Sequence, residues 1–333
     1  MSRVMKLNTG QEMPILGLGT WHHGKEKGEM AKAMSFAIKN GYRHIDCAHI
    51  YLNETELGEE FDRIIGKDIQ REELFIAGKL WSTHHEPERV EEGCRNSLKA
   101  LNLDYFDLYY IHWPAAFEYG DGNLPKDENG RIRHIDVNPV DTWKAMEDLV
   151  KKGLVKAIGV CNFNTKQMKD IMANAETKPA VLQVESNPRM QNEILRKFCQ
   201  KHDIAMIGFS SFGSPDLPWG EKLPHILIDP ILTTIAEKHK RSTALCVLRW
   251  QIQRGVGVIP KSVLETELLE NLKVFDMELD DDDMRQIETM DKNIRKIVPI
   301  VTLKDGTVEL RDLHNKNNGF TFEETEADAL NCA

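Results

Sequence analysis

About eight short apolar runs, each followed by an amphipathic stretch, restrict the folds open to this chain more than any other feature. The runs cover residues 16–18, 44–48, 74–79, 106–112, 157–160, 181–185, 205–209 and 257–260, and are rich in Val, Ile, Leu and Tyr. Stretches of helical period lie between or after them at 30–39, 87–101, 140–152, 191–202, 231–239 and 268–275. Strand and helix repeated to that count argue for a parallel sheet closed into a (β/α)8 TIM barrel. An open doubly wound sheet is the alternative. It usually carries GxGxxG in its first strand–helix turn, and Gly17-Leu-Gly19 has no third glycine in register.

Two flanks exceed the repeat. Residues 4–7 and 13–16, around Asn8-Thr-Gly10, read as an N-terminal β-hairpin able to plug the barrel. After a last helix at 280–291, opened by a run of Asp that stabilises its positive end, comes a tail over 292–333 with little periodicity. Its Ile297, Val298, Val301, Leu310, Phe320 and Phe322 favour packing, as a C-terminal lid loop over the mouth, over a disordered end. The whole chain, 1–333, is expected to be one barrel domain, since no low-complexity linker divides it.

Composition narrows the partners. At 41% hydrophobic residues the chain can bury a large core, and its net charge of -10 repels nucleic acid and anionic lipid. The six cysteines are scattered without a CxxC pair, which argues against a disulfide framework. Residues 1–14 lack the apolar stretch of a signal peptide, and no apolar run is long enough to span a bilayer. A cytoplasmic monomer is expected, with no nucleic-acid or membrane partner.

In such a barrel, chemistry is carried at the C-terminal ends of the strands. The polar residues there are Asp46, Lys79, His112, Asn162, Gln183, Glu185, Ser210, Lys261 and Ser262, with Tyr51 just past the second run. Lysine and aspartate inside a barrel are costly unless paired. Singly, each has a plainer explanation: an N-cap, a snorkelling lysine, a core histidine, a packing aromatic. Together they make a proton donor. Asp46 can hold Lys79, Lys79 can stabilise a Tyr51 phenolate, and His112 can orient a substrate oxygen, which is what hydride addition to a carbonyl needs. His84-His85-Glu86 lacks metal-ligand spacing, so no metal is expected.

The stretch Gly41-Tyr-Arg-His-Ile-Asp-Cys-Ala-His-Ile-Tyr51, continuing to Glu54 and Leu57-Gly58, resembles a signature of the aldo-keto reductase superfamily. Val258-Ile-Pro-Lys-Ser262, Gly159-Val-Cys-Asn-Phe163, Gln183-Val-Glu-Ser-Asn-Pro188 and Ser214-Pro-Asp216 resemble its cofactor-contacting segments, in the same order. The resemblance implies an aldehyde/ketone reductase with Asp46, Tyr51, Lys79 and His112 as the catalytic set, Tyr51 giving the proton. It implies a cofactor site made of Thr20, Trp21, Asp46, Cys161, Asn162, Gln183, Phe209, Ser210, Phe212, Ser214, Asp216, Lys261, Ser262, Val263, Glu267 and Asn271. Cys161 stands where serine is usual, Phe209 where tyrosine is usual. It implies an apolar mouth for a small-molecule carbonyl substrate, formed by Trp21, Ile50, Tyr51, Trp81, His112, Trp113, Phe117 and Trp219. NADP(H) is the expected cofactor. Glu267 aligns with the arginine of NADP(H)-preferring members, and a carboxylate there would favour NAD(H).

Two other readings stay open from sequence: a non-catalytic binding or structural protein on the same barrel, and a barrel enzyme using Lys79 as a Schiff base for phosphorylated metabolites.

Overall fold

The apolar runs form strands buried on both faces, as parallel strands under a layer of helices must be. The computed structural model describes residues 3–22, 26–120, 122–214, 224–312 and 315. Ahead of the barrel, β1 (Val4–Lys6) and β2 (Glu12–Pro14) pair antiparallel. Then β3 (Leu18–Gly19), β4 (His44–Asp46), β5 (Phe75–Leu80), β6 (Leu108–Ile111), β7 (Ile158–Cys161), β8 (Val181–Glu185), β9 (Ala205–Phe209) and β10 (Val256–Val258) lie side by side in chain order, every pair parallel. The two edges meet: Gly17 N–H donates to the Val258 carbonyl and Val258 N–H to the Ile15 carbonyl, each at 2.8 Å. Gly19 is required at that seam, where a Cβ would lie 2.7 Å from the Ile259 carbonyl oxygen.

The helices are α1 (Glu29–Lys39), α2 (Glu54–Ile64), α3 (Pro87–Ala100), α4 (Pro139–Lys151), α5 (Thr165–Asn174), α6 (Glu193–Lys201), α7 (Pro230–His239), α8 (Thr243–Gln253), α9 (Glu265–Asn271) and α10 (Asp281–Glu288). Their starts carry the expected signals. Proline opens α3, α4 and α7, Asn164 and Gln167 make a capping box for α5, and Asp280 accepts from the Asp282 and Asp283 amides at the head of α10. The expected helix at 268–275 divides, α9 ending at Asn271 and a 3-10 segment, Leu272–Asp276, following.

The main core lies between sheet and helices, and a second fills the barrel's interior. The hairpin contributes Leu7 and Met13 to that interior. Asn8 donates to the carbonyl of Pro179, ahead of β8, at 3.0 Å. The hairpin therefore stops the N-terminal end of the barrel and leaves the opposite end for chemistry.

At that opposite end the tail forms a hairpin, β11 (Ile300–Thr302) with β12 (Val308–Leu310). Asp305-Gly306 makes its turn. A second hairpin, between β6 and α4, pairs Lys126 with Ile132 around Asn129-Gly130. The two dock: Lys304 N–H donates to the Asn129 carbonyl at 3.0 Å, and Arg131 pairs with Glu309 at 2.9 Å. Gly130, at φ +95°, lies with Leu303 Cα 3.3 Å from where its Cβ would sit. Among the described residues, no helix is long and apolar enough to cross a membrane.

Candidate active site

Parallel pairing of β4 with β5 brings Asp46 opposite Ala77, two residues before Lys79 and on the same face of the strand. Lys79 has no exposed surface and Asp46 almost none, and the Lys79 ammonium donates to Asp46 Oδ1. Its other bonds run to the Cys47 carbonyl at 2.9 Å and to the Tyr51 hydroxyl oxygen at 3.2 Å. Tyr51 stands on the 3-10 segment His49–Tyr51, directly after β4. Asp46 is itself held: Gln183 Nε2, from β8, donates to its Oδ2 at 2.8 Å, and Thr20 Oγ1 donates to its carbonyl at 2.8 Å. His112, after β6, faces Tyr51 edge-on with ring centroids 5.9 Å apart. Asn162 Nδ2 donates to the His112 carbonyl at 2.9 Å. The four residues from three strand ends thus meet in one cluster.

Burial sets the protonation states. Burial, the largest single effect, lowers the Lys79 ammonium, but Asp46 together with Tyr51 and Cys161 more than offsets it and holds the lysine above its ordinary range, so the charge stays. Burial raises the Tyr51 phenol, with Lys79 pulling the other way, so the phenol keeps its proton at neutral pH. Burial, then Lys79 and Arg311, push His112 well below its usual value, leaving a neutral imidazole. The cluster is a protonated phenol touching a fixed cation, across from a neutral ring.

Beside it, Trp81, Trp113, Phe117 and Ile132 pack with Val301 and Leu303 of the tail, and Ile50 and Ile297 lean on them. Trp81 lies 5.6 Å from the His112 ring. Its indole N–H donates to the Asn123 carbonyl at 2.6 Å, which fixes the ring's orientation. Phe117 has no exposed surface and backs Trp81 at 5.9 Å.

A sequence model described as the aldo/keto reductase family matches residues 15–292. The chain belongs to the aldo/keto reductase family. It is similar to aldo-keto reductase family 1 member A1 of Bos taurus and of Homo sapiens, each 46% identical over 309 residues, 92% of this chain and 94% of the relative. Member A1-A of Danio rerio is 45% identical over 329 residues, 97% of this chain and 99% of the relative. As an aldo/keto reductase, the protein is an oxidoreductase acting on carbonyl compounds.

Several of the expected cofactor residues stand at or just after the C-terminal ends of β3, β7, β8, β9 and β10. Asn162, in the left-handed region at φ 63°, keeps its buried Oδ1 without a hydrogen-bond partner. A buried acceptor in that state suits a carboxamide N–H. Phe209 ends β9 half-buried, and the Ser214 hydroxyl donates to Ser210 Oγ at 2.7 Å. Cys161 is buried among Leu108, Tyr110 and Val181, and burial raises its thiol, so it packs as a small neutral group. Phe212 and Val263 pack on the main core, Lys261 is exposed, and Asn271 is buried beside Tyr42. The exposed Glu267 accepts from the Ser262 hydroxyl at 2.6 Å. Trp21 is half-buried next to Thr20. Asp216 and Trp219 lie outside the described residues.

Three participants carry no strong sequence signal. Asn123 fixes Trp81 from a loop. Arg311 lies 5.0 Å from the centroids of Trp113 and Phe117 and 5.7 Å from that of Trp81, while its guanidinium pairs with Asp312 at 2.6 Å. His134 meets Asp312 at 3.3 Å. Only the Asn-Gly and Asp-Gly pairs at 129–130 and 305–306 hinted that these segments form hairpins able to reach the mouth.

Proposed function

We propose that the protein reduces aldehydes and ketones to alcohols with NADPH, Tyr51 giving the proton to the carbonyl oxygen. The observation that carries this is the Tyr51 hydroxyl, protonated, 3.2 Å from a lysine that Asp46 keeps charged. When bound, the nicotinamide supplies the hydride. As negative charge grows on the carbonyl oxygen, Tyr51 donates its proton and Lys79 stabilises the resulting phenolate. Neutral His112 donates a hydrogen bond that orients the same oxygen. In the reverse direction the phenolate takes the proton back, so alcohol oxidation uses the same groups.

Thr20, Trp21, Cys161, Asn162, Gln183 and Phe209 would hold the nicotinamide end, and Ser210, Phe212 and Ser214 the pyrophosphate. Lys261, Ser262, Val263 and Asn271 would hold the adenosine. The Trp81–Trp113 wall suits carbonyls with apolar bodies. One observation favours NADH as a second reading: Ser262 spends its hydroxyl on Glu267, a carboxylate that would stand against a 2′-phosphate. A Schiff-base role for Lys79 has less support, because Asp46 keeps the amine protonated and so not nucleophilic. The reading extends to a cytoplasmic monomer: the five described cysteines are buried as small core groups, and a net charge of -10 keeps copies apart.

Titrating NADPH and NADH against tryptophan fluorescence identifies the cofactor, and a panel of carbonyls then tests turnover. Tyr51→Phe should bind the cofactor as the parent does and lose about 10²–10⁴ in kcat. Turnover undiminished in Tyr51→Phe would overturn the proposal.

A further inference from the structure

Residues two apart on a strand share a face, so Gln183 and Glu185 of β8 point the same way. Gln183 holds the catalytic Asp46. Glu185, one step nearer the mouth, is wholly buried. A buried carboxylate persists only where donors meet it. Here the donors are main-chain amides of the tail: Lys296 N–H at 3.0 Å from each oxygen and Ile297 N–H at 2.8 Å from Oε2. Asn187 Nδ2 adds a longer bond at 3.4 Å.

Upstream of that contact the tail is stitched along the loop between β8 and α6. The Arg189 carbonyl accepts from the amides of Lys292 and Ile294 at 3.2 and 3.1 Å. Just ahead of the tail, Gln191 Nε2 donates to the Ile287 carbonyl of α10 at 2.9 Å. Glu185 is the last of these stitches before β11. Immediately beyond it, the Ile297 side chain packs on the Trp81–Trp113–Phe117 cluster, and Val301 and Leu303 complete it.

We propose that Glu185 is a positioning residue for substrate selection: its carboxylate fixes residues 295–297 to the barrel rim and so sets the far wall of the carbonyl pocket. The kinetic part rests on the carbonyl-reductase reading; the tether does not. A carboxylate suits the task because both of its oxygens accept. Glutamine keeps the volume but offers one accepting oxygen and turns an N–H toward donors.

The test compares the full chain with Glu185→Gln and Glu185→Ala by hydrogen exchange and by kinetics. Peptides over 293–303 should exchange about tenfold faster or more in Glu185→Ala and less so in Glu185→Gln, while peptides over β5 and β6 keep their parental rates. The KM of a bulky aromatic aldehyde should rise about tenfold, and that of a short aliphatic aldehyde should change little. Exchange that rises uniformly, or a tail that keeps its parental protection in either variant, would overturn the tether. A loosened tail with an unchanged KM for the bulky aldehyde would overturn its part in selection. If Glu185→Ala does not fold, Glu185→Gln decides. If the parent turns over no carbonyl, the functional reading fails while the exchange result still judges the tether.

Discussion

Asp46→Asn would strand the Lys79 ammonium inside the barrel with no counter-charge. The side chains are 0% and 1% exposed, so water cannot stand in. Breaking a buried ion pair from one side costs about 3–5 kcal/mol, because the surviving charge stays desolvated. An unfolding entropy of about 2.1 cal/mol/K per residue turns that cost into a drop in Tm of roughly 4–7 °C for a chain of 333 residues. Lys79→Met should cost a similar amount, leaving Asp46 with only neutral donors such as Gln183 Nε2. The double variant removes both charges and should be more stable than either single one, a coupling of about 2 kcal/mol or more. Urea or thermal unfolding of the four proteins measures the cycle. Activity must part company with stability: all three variants should lose at least about 10² in kcat, the restabilised double variant included. Additive costs, or an Asp46→Asn penalty below about 1 kcal/mol, would refute a desolvated pair and with it the claim that Tyr51 works beside a fixed cation.

Glu267→Arg should free the Ser262 hydroxyl and put a guanidinium beside the proposed adenosine site, shifting preference toward NADPH over NADH by about tenfold in a fluorescence titration; an unchanged ratio would remove Glu267 from cofactor choice. His85 is buried, and burial pushes it down to about 3. It is neutral in the fold, whereas the unfolded chain takes up its proton near pH 6.5. Its contribution is therefore complete above about pH 6.5 and is lost as pH falls toward about 3, on the order of a few kcal/mol. Tm measured against pH should show a shallower acid limb in His85→Gln than in the parent.

Short runs dominated by apolar residues are the most legible part of the sequence. The expected 181–185 and 205–209 coincide with β8 and β9: their apolar residues pack in the two cores, and the polar Gln183 and Glu185 are hydrogen-bonded. The expected 16–18 became the two residues of β3, displaced toward Gly19 because the seam there needs close backbone approach. The expected 106–112 shortened to β6, with Phe106 only bridging Val155 and His112 released beyond the strand. Helix α2 is hard to see in the sequence, although Leu57, Phe61 and Ile64 give it a buried stripe, because charged residues and Gly58 mask the period. At the site, ionisable residues on strand ends were legible because a barrel rim does not tolerate them idly. The wall opposite was not. Glu185 was visible as a strand-end carboxylate, but its partners are peptide groups of a distant segment, and peptide groups carry no residue signature. Arg311 and Asn123 act through loops whose paths no periodicity encodes.

The clasped hairpins at 126–132 and 300–310 have an evolutionary corollary. They touch through an amide–carbonyl bond, an ion pair and the packing of Ile132 with Val301 and Leu303, and neither supplies a group to the Asp46–Lys79–Tyr51 chain. Drift in either loop would then retune which molecules enter while the reaction itself is inherited intact, so descendants of one barrel could diversify their diet without reinventing their chemistry.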